Sequence, residues 1–153
     1  MSRIFRPLAL AAIVVIGLSG HALAEGMHGT AEEAKALVAR AIAAFDERGE
    51  AAFAEITAPS TAFRDRDLYV FVIGPDHKTV AHGGFADRVG RDVREEHDVD
   101  GKAFGEEFVE RATAEGAWVD YKFNDPQSGK LRQKSSWLVL HDSHIFGCGI
   151  YKE

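Results

Sequence analysis

The sequence predicts an α+β domain: one five-stranded antiparallel sheet, a long helix at its N-terminal end, and a further helix between the second and third strands. Three observations lead there. Apolar residues at Leu37, Val38, Ala41, Ile42 and Phe45 keep the spacing of one helix face. At Leu68 the chain changes to a β-branched and aromatic run, and three more such runs follow Gly116, separated by turn residues. Strands joined mostly by hairpins pair antiparallel, and helices packed on one face of the sheet complete a layered architecture.

The elements can be justified in order. Thr30-Ala31-Glu32-Glu33 has the form of a capping box, in which Thr and the Glu three residues later satisfy N–H groups that an opening helix leaves free; Arg48-Gly49 ends that helix. Residues 50–56 make a second, short helix burying Phe53 and Ile56, and Thr57-Ala58-Pro59-Ser60 breaks it. Leu68-Tyr69-Val70-Phe71-Val72-Ile73 and Thr79-Val80-Ala81-His82 form a hairpin around Gly74-Pro75-Asp76-His77. Residues 85–100 carry charge without periodicity and read as an ordered loop, long for a compact domain and so a candidate for function. Phe104, Phe108, Val109 and Ala112 mark a helix of about three turns, N-capped by Asp100. Strands over 118–123, 135–140 and 145–151 close the sequence, with turns at 124–129 and at Asp142-Ser143.

Composition narrows the function. The chain has 153 residues, 46% hydrophobic and 27% charged, which is ordinary globular usage for a single domain. Its net charge of −6 argues against nucleic acid as a partner, because binding polyphosphate requires clustered cations. Arg3 and Arg6 precede an apolar run from Leu8 to Leu18 and then Ala22-Leu23-Ala24, the pattern of a secretory signal peptide over residues 1–24 cleaved after Ala24. The expected mature chain is one domain, 25–153, periplasmic or secreted. A single cysteine, Cys148, excludes an internal disulfide and reads as a buried, inert thiol.

Several segments together resemble the single Cache domain of the Cache_2 type, a PAS-like extracytoplasmic sensor domain. They are Asp67-Leu68-Tyr69-Val70-Phe71-Val72, Thr79-Val80-Ala81-His82, Asp98-x-Asp100-Gly101-Lys102-x-Phe104, Gly116-x-Trp118-Val119-Asp120-Tyr121-Lys122-Phe123, Asp125-Pro126-x-x-Gly129-Lys130, Lys134-Ser135-Ser136-Trp137 and Gly147-Cys148-Gly149-Ile150-Tyr151. The resemblance implies a PAS-like five-stranded sheet and a small-molecule ligand, often a short carboxylate, held between the sheet and the loop and helix over it. It also implies signal transduction through a partner such as a membrane receptor or kinase, because the chain ends two residues after Tyr151 with no output domain. No cofactor is implied.

Within that frame, strand alternation puts Tyr69, Phe71 and Ile73 on one face, and Val119, Tyr121 and Phe123 on one face of the third strand. A carboxylate in an apolar pocket needs a cation or several donors. Lys134, His82 and the Tyr121 hydroxyl are the candidates, with Tyr69 and Trp137 as amphipathic walls. Two other readings stand beside this one: a small acid–base isomerase or lyase using His82 with Asp87, and a scaffold that binds a protein and no ligand. Asp98-x-Asp100-Gly101 lacks the remaining ligands of a calcium loop. His141 and His144 straddle a turn and do not share a helical face, so no metal site is expected.

Overall fold

The computed structural model describes residues 28–59 and 62–152. The predicted signal peptide, residues 1–24, lies outside the described residues. Helix α1, Ala31–Arg48, opens with the expected capping box: the Thr30 hydroxyl accepts from the Glu33 N–H at 3.2 Å, and the Thr30 N–H donates to the Glu33 carboxylate at 2.7 Å. Gly49 closes it at φ 60°, a conformation that favours glycine. α2 follows at Ala51–Thr57.

The strands are β1 (Arg64–Asp65), β2 (Leu68–Ile73), β3 (Thr79–His82), β4 (Ala117–Asn124), β5 (Leu131–His141) and β6 (His144–Tyr151), with α3 (Phe104–Arg111) between β3 and β4. Two short 3₁₀ turns, 86–88 and 93–95, give the 85–100 loop its order. All pairings between these strands are antiparallel. β2 lies between β3 and β6, and β5 lies between β6 and β4. The two-residue β1 pairs with the start of β2 and is absent from the sequence-based expectation, being too short to show a period.

Two expectations are corrected. Helices cover both faces of the sheet rather than one. α1 and α2 pack on Leu68, Val70, Val72, Phe146 and Cys148, whereas α3 and the loop pack on Tyr69, Phe71, Ile73, Val119, Tyr121 and Leu138. The alternate sets of β2 are both apolar, which is the pattern of a strand buried on two sides, and all six of its residues are buried. Asp100 does not cap α3. The turn at Gly101, φ 81°, directs Asp100 outward to Lys122 at 2.6 Å, and Ala103 precedes the helix without a side-chain cap. Asp98 takes the structural role, accepting the N–H groups of Asp100, Lys102 and Lys122.

The β5–β6 connection is two residues, Asp142 and Ser143, at φ 45° and 61°. Positive φ at both positions is the signature of a type I′ hairpin turn, for which Asn-Gly is the preferred pair. Ser143→Gly should therefore raise stability by about 0.5–1 kcal/mol in urea denaturation. A loss of stability would refute the assignment of that turn.

Candidate functional site

The site lies on the α3 side of the sheet, where each strand contributes alternate residues: Tyr69 and Phe71 from β2, Tyr121 and Phe123 from β4, Lys134 and Ser136 from β5, and Tyr151 from β6. β6 is smooth on this face because it carries Gly147 and Gly149. A Cβ at 147 would stand 2.2 Å from the Phe71 ring, and one at 149 would stand 2.1 Å from Cε of Lys134. The glycines let both side chains lie flat across the strand.

Lys134 is fully buried, at 0% exposure. Its Nζ donates to the hydroxyls of Tyr69 at 2.6 Å and Tyr151 at 3.3 Å, and stands 4.1 and 4.6 Å from the centres of those two rings. No described carboxylate forms an ion pair with it. Burial pulls its amine down from the usual lysine range to about 7, against the opposing pull of Cys148, Asp67 and Asp125. Burial also pushes the Tyr69, Tyr121 and Tyr151 phenols up, so all three hydroxyls remain protonated. Tyr151 donates onward to the Asn124 carbonyl at 2.5 Å, and Tyr121 shares a 2.9 Å hydrogen bond with Ser136.

His82 ends β3 with its ring 5.2 Å from Tyr69. Its Nδ1 accepts from the N–H groups of Phe85 at 2.9 Å and Gly84 at 3.3 Å, which leaves the ring proton on Nε2. Burial, with Lys134 and Arg88 nearby, lowers its pKa to about 3, so the imidazole is neutral and acts as an oriented donor. The sign for stability follows. Between pH 6.5 and 3 the unfolded chain holds a proton that the folded chain does not, so this group makes stability fall as pH drops through that window. His82→Gln should flatten part of that acid-side loss in melting temperature, and an unchanged pH profile would contradict it.

Tyr69, His82, Tyr121, Phe104, Arg88 and Glu96 surround a cavity of about 30 Å³, room for one water-sized group. Lys134 does not line it and reaches it through the Tyr69 hydroxyl. Arg88 and Glu96, from the covering loop, are paired to each other, and the guanidinium lies 4.8 Å from the Phe123 ring centre. Sequence reasoning misses both, because an aperiodic charged loop gives no cue to which charges turn inward. A larger open groove of about 620 Å³ lies elsewhere, beside α1, where Arg66 pairs with Glu33 and Asp65.

Four of the five residues nominated from sequence therefore converge: Tyr69, His82, Tyr121 and Lys134. Trp137 does not. It lies three residues from Lys134 on the same strand, an odd spacing that puts it on the α1 face, against Trp118 and 4.5 Å beneath Nζ of Lys35. His82 and Asp87 are not brought together either; Asp87 pairs with Arg91 at 2.7 Å on the surface. Cys148 is buried on the α1 face, its thiol pushed up by burial to about 12. His141 bonds Asp46 and His144 bonds the Asp142 carbonyl.

The fold is similar to three solved structures. One is a methyl-accepting chemotaxis protein from Vibrio parahaemolyticus RIMD 2210633, 16% identical, with TM-score 0.64 over 78% of this chain and 86% of that one. Another is the periplasmic sensor domain of a chemotaxis protein, 25% identical, with TM-score 0.60 over 80% and 90%. The third, from work on carboxylic acid recognition, is a Cache chemosensory domain, 20% identical, with TM-score 0.61 over 80% and 92%. None of the curated proteins compared matches the chain. The single Cache domain 2 family matches residues 19–141, most of the sequence, and the chain belongs to that family.

Proposed function

We propose that this protein is an extracytoplasmic sensor domain that binds a small monocarboxylate on the α3 side of its sheet. On this reading residues 1–24 are removed after Ala24, residues 25–153 form the mature domain in the periplasm or outside the cell, and a membrane receptor or kinase carries the signal onward. The observation that carries the ligand class is Lys134, a buried amine with phenol hydroxyls around it and no described carboxylate paired to it. One added negative charge would complete that arrangement. Tyr69 and His82, whose Nε2–H is not used by the Nδ1 contacts, line the cavity, and aromatic rings supply its walls. The similarity to a domain studied for carboxylic acid recognition supports the same class.

The cavity is too small for acetate, so binding entails movement of the Arg88–Glu96 pair that lines it. The cover pair also offers a second cation, since an incoming carboxylate can take the place of Glu96 on Arg88.

The test is calorimetric titration with formate, acetate, propionate and pyruvate between pH 6 and 9. Binding that requires the protonated amine weakens about tenfold per pH unit above 7, where Lys134 loses its proton. Ligand at a hundredfold excess over Kd adds about 2.7 kcal/mol and raises the melting temperature by several degrees. Affinity independent of pH would remove Lys134 from the role, and no binding by any of the four acids would count against the ligand class.

A further inference from the structure

Asp67 lies just before β2, two residues from Tyr69, and is fully buried. One carboxylate oxygen accepts the Gly29 N–H at 2.7 Å. The other, Oδ2, has no hydrogen-bond partner, and it is the sole buried side-chain oxygen or nitrogen among the described residues in that condition. Leaving such an atom unpaired is costly, so a compensating interaction is to be sought.

Lys134 supplies it. Its ammonium spends two protons on Tyr69 and Tyr151 and has no third acceptor among the described residues. Register brings both to one end of the sheet, since the start of β2 runs opposite the end of β6, with Val70 across from Cys148, and Tyr151 lies across from Lys134. Burial raises the Asp67 carboxyl, against the pull of the Gly29 N–H, His28 and Lys134, and the amine feels Cys148, Asp67 and Asp125 against its own burial. Of the other groups acting on the amine, the Cys148 thiol is kept protonated by burial and the remaining two are engaged. Asp125 is held by His28, Gln127, Ser128 and Arg132, and Arg88 by Glu96. An unsatisfied anion and an incompletely satisfied cation thus remain in one dry region, where a charge is felt beyond contact distance.

We propose that Asp67 is a positioning residue of the anion site, the resident counter-charge of Lys134, and that its bond to Gly29 fastens the segment entering α1 to the charge on that lysine. This rests on the reading of Lys134 as the anion anchor. When a carboxylate binds, Lys134 turns its field to the ligand and Asp67 loses its partner. The Gly29 N–H then faces a carboxyl that more readily takes up a proton and accepts more weakly. Occupancy is thereby felt at the N-terminal end of α1.

The experiment is a double-mutant cycle on the full chain with Lys134→Met and Asp67→Asn, which needs no ligand. Asp67→Asn keeps the acceptor for Gly29 and removes the charge. It should lower the folding equilibrium constant about tenfold or more when Lys134 is present, and leave it unchanged or raised in the Lys134→Met background. Simple additivity overturns the proposal. Should Asp67→Asn fail to fold, carbon NMR titration of the Asp67 carboxyl needs Lys134→Met alone. Its midpoint should rise by about one unit or more when the lysine is removed, and an unmoved midpoint overturns the pairing. Amide exchange at Gly29 should quicken about tenfold in Lys134→Met, and unchanged exchange overturns the link to the N-terminal segment. Acetate added as a probe separates the two ideas, because failure of acetate to bind leaves the cycle intact and counts against the proposed ligand class alone.

Discussion

Lys134→Met should make the protein more stable at neutral pH, by about 1–3 kcal/mol, while abolishing affinity for small carboxylates, because the charged amine is disfavoured where it lies even with the pull of Asp67 counted. The new side chain is unbranched and uncharged, so the flat course across Gly149 is kept. Alanine would be a poorer test, because truncating a fully buried stem leaves a void that costs stability by itself. The gain arises because burial of the ammonium is the largest cause of its depressed pKa. The direction with pH follows from proton counting. Between pH 7 and 10.5 the unfolded chain holds the lysine proton and the folded chain does not, so this group makes stability rise with pH across that window. Below pH 7 its destabilising effect is fully present. In urea denaturation the wild type should gain on the variant as pH rises from 7 to 10. A variant less stable than wild type at pH 7 would mean that the tyrosine hydroxyls and Asp67 together repay the desolvation of the charge.

Gly105→Ala should lower the melting temperature by roughly 5–10 °C, corresponding to about 2–3 kcal/mol. A Cβ there would stand 1.7 Å from the carbonyl oxygen of Val93, and that neighbour is backbone, so it cannot swing aside as a side chain could. The Gly105 N–H also donates to the Glu96 carbonyl at 3.3 Å. The loop and α3 are thus joined main chain to main chain, and Glu96 is the partner of Arg88 over the cavity. The substitution should pry the cover from the helix, raising amide exchange over residues 88–96 as well as lowering the melting temperature. A variant that melts within a degree of wild type would show that the loop can shift at little cost.

Much of the fold was legible because the signals were local. The capping box at Thr30, the change of period at Leu68 and the turn at Asp142-Ser143 each report on a few neighbouring residues, and each reappears in the structure. Tyr69 and Tyr121 could be placed on one face because strand side chains alternate, and Lys134 joins them through its register partner Tyr121. The same alternation, applied between residues 134 and 137, would have excluded Trp137. What stayed hidden depends on contacts distant in sequence. The part played by Gly147 and Gly149 shows only once Phe71 and Lys134 cross them. Arg88, Glu96 and Asp67 are three charges in a chain rich in charge; the first two are set apart by lining the cavity and the third by full burial.

The sheet order has a consequence for how this chain is made. β2 pairs with β6, which is made only after β3, β4 and β5, and β5 also needs β6 as a neighbour. α1 packs against Phe146 and Cys148 on that same strand. The first helix therefore has no complete surface to settle on until residues 144–151 exist, and the wide sequence separation of these pairings makes closure slow. A polypeptide whose keystone lies so far downstream of its first packing partner stays open until that keystone is made, and losing residues 144–151 would open the core on both faces at once.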